Sequence, residues 1–202
     1  MGEWIIGFIT QWGYAGIFLL MLAENIFPPI PSELIMPFAG YAAANGDLSV
    51  LGVLFAGTLG SLLGTSAWYF AARLLGLDRF TALCNRLGRI ATVNEKDIDM
   101  AAHWFERHGP LAIFVGRLIP AIRTLISVPA GLAAMPFWKF IGISALGTGL
   151  WTGILTTAGF VLHEHYEVVE RFIDPVSTGI VVLAVVLYIY RFITWKPIGD
   201  IS

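Results

Sequence analysis

The sequence predicts an all-α, polytopic membrane protein. Two re-entrant hairpins, entering from opposite faces as an inverted repeat, are followed by a C-terminal transmembrane helix. Three observations point there. Of 202 residues, 57% are hydrophobic and only 13% are charged, against about 25% charged in an ordinary soluble domain. Several uncharged runs reach the roughly 20 helical residues that cross a hydrocarbon core of about 30 Å. Two otherwise apolar stretches, 24–33 and 114–123, nevertheless keep charges beside prolines.

Taken in order, residues 4–23 form the first span, tolerating Gln11. They lack the basic flank and small-residue cleavage site of a secretory signal, so the span is read as retained. Residues 24–46 are apolar but broken by Pro28, Pro29 and Pro31, which suits an outer re-entrant hairpin rather than a span. Residues 48–72 span, with Gly57, Gly60, Ser61 and Gly64 as small residues for close helix approach. Residues 73–109 carry Arg73, Arg79, Arg86, Arg89, Lys96 and Arg107, which the positive-inside rule places in the cytoplasm. Within that stretch Asn94 and Asp97 signal a helix start and Gly109-Pro110 a stop. Ile98, Ala101, Ala102 and Phe105 share one face between them, so an amphipathic helix is predicted.

Residues 110–136 form the inner re-entrant hairpin. Arg117, Pro120, Arg123, Pro129 and Gly131 make a poor continuous helix, because proline removes a backbone donor and clashes with the preceding turn. Residues 140–162 span, the acidic loop 163–174 lies outside, and 175–194 form a last, scaffold span. Lys196 then agrees with a cytoplasmic C-terminus, and the same alternation puts the N-terminus in the cytoplasm. The repeat is carried by a Pro-rich hairpin followed by a Gly-rich span, twice: Gly57, Gly60 and Gly64 against Gly147, Gly149 and Gly153. Broken helices meeting near the bilayer midplane in such repeats are a transporter architecture.

An ionised side chain at the bilayer centre costs at least about 2.5–3.5 kcal/mol, so intramembrane charges mark sites. Here they are Glu24 and Glu33 on the first hairpin, Arg117 and Arg123 on the second. A salt bridge that merely pins the hairpins is the plain alternative, but desolvation offsets much of a buried pair's attraction. Arginine presents a planar fork matched to phosphate. Two forks around a proline break with apolar walls suit a phosphate head on a hydrocarbon tail. Arg117 and Arg123 are therefore the candidate phosphate-binding residues, and Glu24 and Glu33 the candidates for proton coupling or headgroup contact. A carboxylate that gains a proton would release an arginine to the lipid and reclaim it on losing the proton.

Other chemistries find little support. Cys84 is alone, which leaves no intrachain disulfide, and reads as a small apolar filler. His163 and His165 sit two apart without a ligand pattern, so no metal is predicted, and no cofactor either. No basic stripe points to nucleic acid. No histidine lies within either hairpin to serve a phosphatase, so the chain is read as a carrier with no catalytic residues. Trp68, Tyr69, Trp138 and Trp151 are read as interfacial anchors or core.

These residues together resemble the DedA family of membrane proteins, related to the VTT-domain lipid scramblases. The resemblance covers about residues 10–160. It rests on 24–33 with its Pro-x-Pro-Ser-Glu ending, Gly60 and Gly64, Tyr69 and Gly76, Phe114-x-x-Arg117-x-x-Pro120-x-x-Arg123, Pro129-Ala130-Gly131 and Trp151. Ala72 departs from the Gly-Arg pair common before Arg73. The resemblance implies lipid translocation in a bacterial inner membrane, with the family's important acidic and arginine positions at Glu24, Glu33, Arg117 and Arg123. Members return undecaprenyl phosphate to the cytoplasmic leaflet, or move phosphatidylethanolamine, and the form of the first hairpin leans to the polyprenyl-phosphate branch. A phosphatidylethanolamine flippase or scramblase, and a proton-coupled ion or drug exporter, are the alternatives. Oligomeric state stays open.

Overall fold

A computed structural model of the chain describes residues 2–26, 32–87, 103, 105–120, 122–162, 186, 189–190 and 192–194. The described residues form helices and turns and no strand: α1 (Gly2–Ile26), α2 (Ser32–Ala44), α3 (Val50–Leu87), α4 (Pro110–Arg117), α5 (Ser127–Leu132) and α6 (Phe137–Val161). Three segments are long and apolar enough to cross a membrane, Ile5–Ile26, Val50–Gly76 and Phe137–Val161. They match the first three predicted spans to within a few residues. Most of the predicted span 175–194, the acidic loop 163–174, the start of the amphipathic helix at Asn94 and the breaks Pro28, Pro29 and Pro31 lie outside the described residues. At the end of that amphipathic segment Phe105 is half-buried, whereas His103, Glu106 and Arg107 are exposed.

The spans are less regular than hydropathy implies. α1 breaks at Gly13, with φ 54° and ψ −131°, a conformation open to glycine because it has no Cβ. The same backbone recurs at Gly109, φ 53° and ψ −130°, directly before α4. There Pro110 takes the first helical position, where its missing N–H costs nothing. α1 also runs past the predicted boundary at 23, so Glu24 and Asn25 sit in its last turn instead of in a hairpin loop. α2 has 13 residues, about 20 Å of helix, and α4 has 8, about 12 Å. Both fall short of the roughly 30 Å hydrocarbon core.

The chain divides into two compact units, with boundaries after Gly64 and Gly147, inside α3 and α6. Unit one takes Met1–Gly64 and Thr148–Leu183. Its core is aliphatic, with Ile17, Met21, Ile35, Met36 and Val53 fully buried. Helix backbones approach closely there because glycines remove the side chain between them. A Cβ on Gly60 would lie 2.3 Å from the Phe18 carbonyl oxygen, and one on Gly40 would lie 2.2 Å from that of Thr156. Thr58 and Thr152 hydroxyls meet at 3.2 Å across the same unit.

Unit two takes Thr65–Gly147 and Ala184–Ser202. Its core joins Tyr69, Ala112, Ile113, Ile126, Ala130, Met135 and Phe140. The Tyr69 ring stacks on Phe140 with centroids 4.5 Å apart. At the far end of that ring the Tyr69 hydroxyl donates to the Met135 carbonyl and accepts from Arg73. Arg73 Nη1 also donates to the Met135 carbonyl, at 2.6 Å. The loop after α5 is thereby tied to α3, next to Ala134, a non-glycine at φ 49°. A Cβ on Gly131 would lie 2.4 Å from the Tyr69 carbonyl oxygen, so α5 and α3 also meet backbone to backbone.

These contacts predict a contrast between glycines. Gly60→Leu should lower stability in an SDS titration by about 1–3 kcal/mol, as overpacking does. Gly142→Ala, where a Cβ meets nothing within 4 Å, should shift the same titration by less than about 1 kcal/mol. Tyr69→Phe removes one of two donors to the Met135 carbonyl and should cost about 0.5–1.5 kcal/mol. Adding Arg73→Ala should not be additive: it leaves the buried carbonyl with neither donor, so the double change should cost more than the sum of the two single changes.

Candidate functional site

Of the four charged candidates, Glu24 and Glu33 belong to unit one and Arg117 and Arg123 to unit two. In unit one Glu24 and Asn25 are buried, at 4% and 1% exposure. Asn25 lies one helical turn past Met21, so its Nδ2 donates back to the Met21 carbonyl at 2.9 Å. The same amide shares its two hydrogens with Glu24 Oε2 at 2.7 Å and Ser61 Oγ of α3 at 2.9 Å as well. Asn25 therefore holds the end of α1 to α3 and orients a carboxylate oxygen at once. Close approach makes this possible: a Cβ on Gly64, one turn from Ser61, would lie 2.7 Å from the Asn25 Cβ.

Glu33 stands in the first turn of α2, where the unpaired N–H groups of a helix favour a negative charge. It is half-buried. Its Oε1 is buried with no hydrogen-bond partner among the described residues. Its neighbour Ser32 is fully buried and accepts from Trp151 Nε1 of α6 at 3.4 Å.

In unit two α4 stops at Arg117, and turns or bends occupy 118–120 and 122–126 before α5 begins. Pro120 lies between α4 and α5 and is exposed. Without an N–H it cannot continue the α4 ladder. The chain instead turns back through bonds from Ile122 and Arg123 N–H to the Ile119 carbonyl, each 3.0 Å. Arg117 and Arg123 are both buried, at 2% and 6% exposure.

Arg117 organises the whole cluster. Its Nε donates to Ser144 Oγ at 3.3 Å and its Nη2 to the same oxygen at 3.2 Å. Nη2 also donates to Ser127 Oγ at 2.9 Å. Nη1 donates to the backbone carbonyl of Arg123. The guanidinium lies over the Phe140 ring, 5.6 Å from its centroid. No carboxylate among the described residues pairs with Arg117; its acceptors are two hydroxyls and a carbonyl. The first arginine of the motif thus grips the backbone of the second. Gly147 lets α6 come this close, since a Cβ there would lie 2.8 Å from the Arg117 Cβ.

The spacing of Arg117, Pro120 and Arg123 marks the site in the sequence, but Asn25, Ser61, Ser127 and Ser144 do not stand out. Ser61 reads as a small packing residue, and Ser144 lies 27 positions from Arg117. Its place on one face of α6, one turn before Thr148 and two before Thr152, is the signal that could have found it: Ser144, Thr148, Thr152 and Thr156 are all buried hydroxyls at four-residue spacing. Among the described residues no group of three or more His, Cys, Asp or Glu side chains could hold a metal.

Comparison with known proteins agrees with this architecture. The VTT domain family matches residues 30–161. An alkaline phosphatase-like protein of Lactococcus lactis subsp. cremoris (strain MG1363) is 40% identical over 190 residues, 94% of this chain and 89% of its own length. Undecaprenyl phosphate transporter A of Staphylococcus aureus is 33% identical over 196 residues, 96% of this chain and 97% of its own. Its Bacillus subtilis namesake is 31% identical over 195 residues, 95% of this chain and 93% of its own. No solved structure matches the chain. With its three apolar helices, the chain is a bacterial membrane protein. It belongs to the VTT-domain, or DedA, family.

Proposed function

We propose that this protein carries polyprenyl phosphate across the membrane, docking the phosphate at Arg117 and Arg123 and using Glu24 and Glu33 to couple movement to protons. The observation that carries the reading is Arg117: a guanidinium at 2% exposure whose neighbours are serine hydroxyls, a carbonyl and an aromatic ring, with no carboxylate among the described residues. Buried charges are normally paired, and in this reading the anion is the phosphate of the transported lipid. The names of the Staphylococcus and Bacillus relatives support a polyprenyl phosphate as that anion. Phe140 and the apolar core around it supply the wall for a hydrocarbon chain.

The two units support a repeated hairpin as the frame for this cycle. Gly13 and Gly109 share one unusual backbone conformation. Five residues after each comes a phenylalanine, Phe18 or Phe114, whose carbonyl lies against a glycine of a long helix, Gly60 or Gly147. In our reading each unit holds one re-entrant hairpin, entering from opposite leaflets, with 73–109 and both termini in the cytoplasm. The buried carboxylate of Glu24 and the unpartnered oxygen of Glu33 are the proton acceptors. The chain acts as a carrier rather than a hydrolase, despite the name of its Lactococcus relative.

Transport assays test this directly. Proteoliposomes should move a fluorescent short-chain polyprenyl phosphate, and Arg117→Ala should slow that movement at least about tenfold. Movement of phosphatidylethanolamine alone, or of neither lipid under any pH gradient, would overturn the reading, and release of inorganic phosphate would make the protein an enzyme. Glu24→Gln should keep prenyl phosphate binding while transport loses its response to an imposed pH gradient. For topology, the lone Cys84 should resist a membrane-impermeant maleimide in intact cells and react once the membrane is opened. Labelling in intact cells would invert the proposed orientation.

A further inference from the structure

The Arg117 cluster has more donors than acceptors. A guanidinium offers five N–H groups, and a serine hydroxyl can donate one hydrogen while accepting others. Nε and both Nη2 hydrogens of Arg117 go to Ser127 and Ser144, and one Nη1 hydrogen goes to the Arg123 carbonyl. One Nη1 hydrogen has no acceptor among the described residues. Each serine oxygen already accepts from the guanidinium, so each hydroxyl hydrogen points elsewhere, and no acceptor within the cluster receives one. Ser127 and Ser144 are both at 0% exposure, where an unmade hydrogen bond costs most. Three buried donors, one positive charge and no counter-charge describe half of a site.

We infer that Ser127 and Ser144 are ligands of the transported headgroup: their hydroxyls donate to phosphate oxygens while they accept from Arg117. The class of ligand is a phosphate monoester, whose three terminal oxygens accept several hydrogen bonds at once. The inference rests on the proposed phosphate docking at Arg117 and adds the groups that complete it. The place of the incoming oxygen is marked by the Arg123 carbonyl, the one backbone acceptor of the guanidinium. That carbonyl belongs to the turns of 122–126 rather than to a helix. A phosphate oxygen can take over its bond from Nη1 without unmaking a helical ladder. The two serines come from separate elements, Ser127 from α5 and Ser144 from α6, so a phosphate between them would bridge both arms of the break.

Equilibrium binding to the purified full chain in detergent tests this, with farnesyl phosphate, farnesyl sulfate and inorganic phosphate as probes. The wild type should bind farnesyl phosphate and prefer it to the sulfate. Ser127→Ala and Ser144→Ala should each weaken farnesyl phosphate binding by roughly tenfold, and the preference for phosphate over sulfate should shrink with it. Ser127→Cys and Ser144→Cys keep roughly the volume but donate poorly, so they should lose affinity and phosphate preference likewise. Serines that only support Arg117 would lower the unfolding midpoint and leave affinity and headgroup preference within about twofold of wild type, which would overturn the assignment. Inorganic phosphate bound as tightly as farnesyl phosphate, with the same serine dependence, would uphold the ligands but make the substrate a solute. A wild type that binds none of the three probes would overturn the phosphate reading itself, and this inference with it.

Discussion

A guanidinium withdrawn from water must find acceptors, and in unit two the search for them sets the arrangement of four separate pieces of chain. Arg117 ends α4, and its donors reach α5 through Ser127, α6 through Ser144 and the intervening turns through the Arg123 carbonyl. Phe140 closes the remaining face. Moving any of these would strand a buried donor, at about 1–3 kcal/mol each. The break at Pro120 is held in shape less by its own turns than by the arginine before it. The hydrophobic core around Ile113, Ile126 and Phe140 packs the space this network leaves.

The network depends in turn on short distances between backbones. Lipid tails are as apolar as leucine, so helices in a membrane gain little from hiding side chains and associate through close packing and hydrogen bonds. Gly60, Gly64, Gly131 and Gly147 each bring a helix within touching distance of another backbone or Cβ. Polar side chains as short as serine and asparagine can then bridge between helices. Ser61 reaches Asn25, and Ser144 reaches Arg117, only because a glycine one turn away lets the helices meet.

Much of this was legible in the sequence. Hydropathy placed three spans to within a few residues, and proline placed the break after Arg117, because both are local signals. Residues 24–33 and 114–123 announced the charged clusters, since a charge in an apolar run is rare enough to need a cause. Three things were not legible. Gly13 has no proline after it, so nothing distinguishes it from packing glycines, whereas Gly109 is flagged by Pro110. The prolines after Asn25 suggested that the hairpin starts at Glu24, but Asn25 bonds back to Met21 and carries the helix to Ile26. The serines around Arg117 are contributed by tertiary structure, and no spacing rule links positions 117, 127 and 144.

The carbonyl of Met135 has two lone pairs, and Tyr69 and Arg73 occupy both. The two donors also bond each other, so neither can leave without disturbing the other. A loop held by one bond loosens by degrees, with a spread of partly open forms. A loop held by this triangle has only two comfortable conditions, fastened and released. Moving the segment after α5 away from α3 would therefore require Tyr69 and Arg73 to let go together.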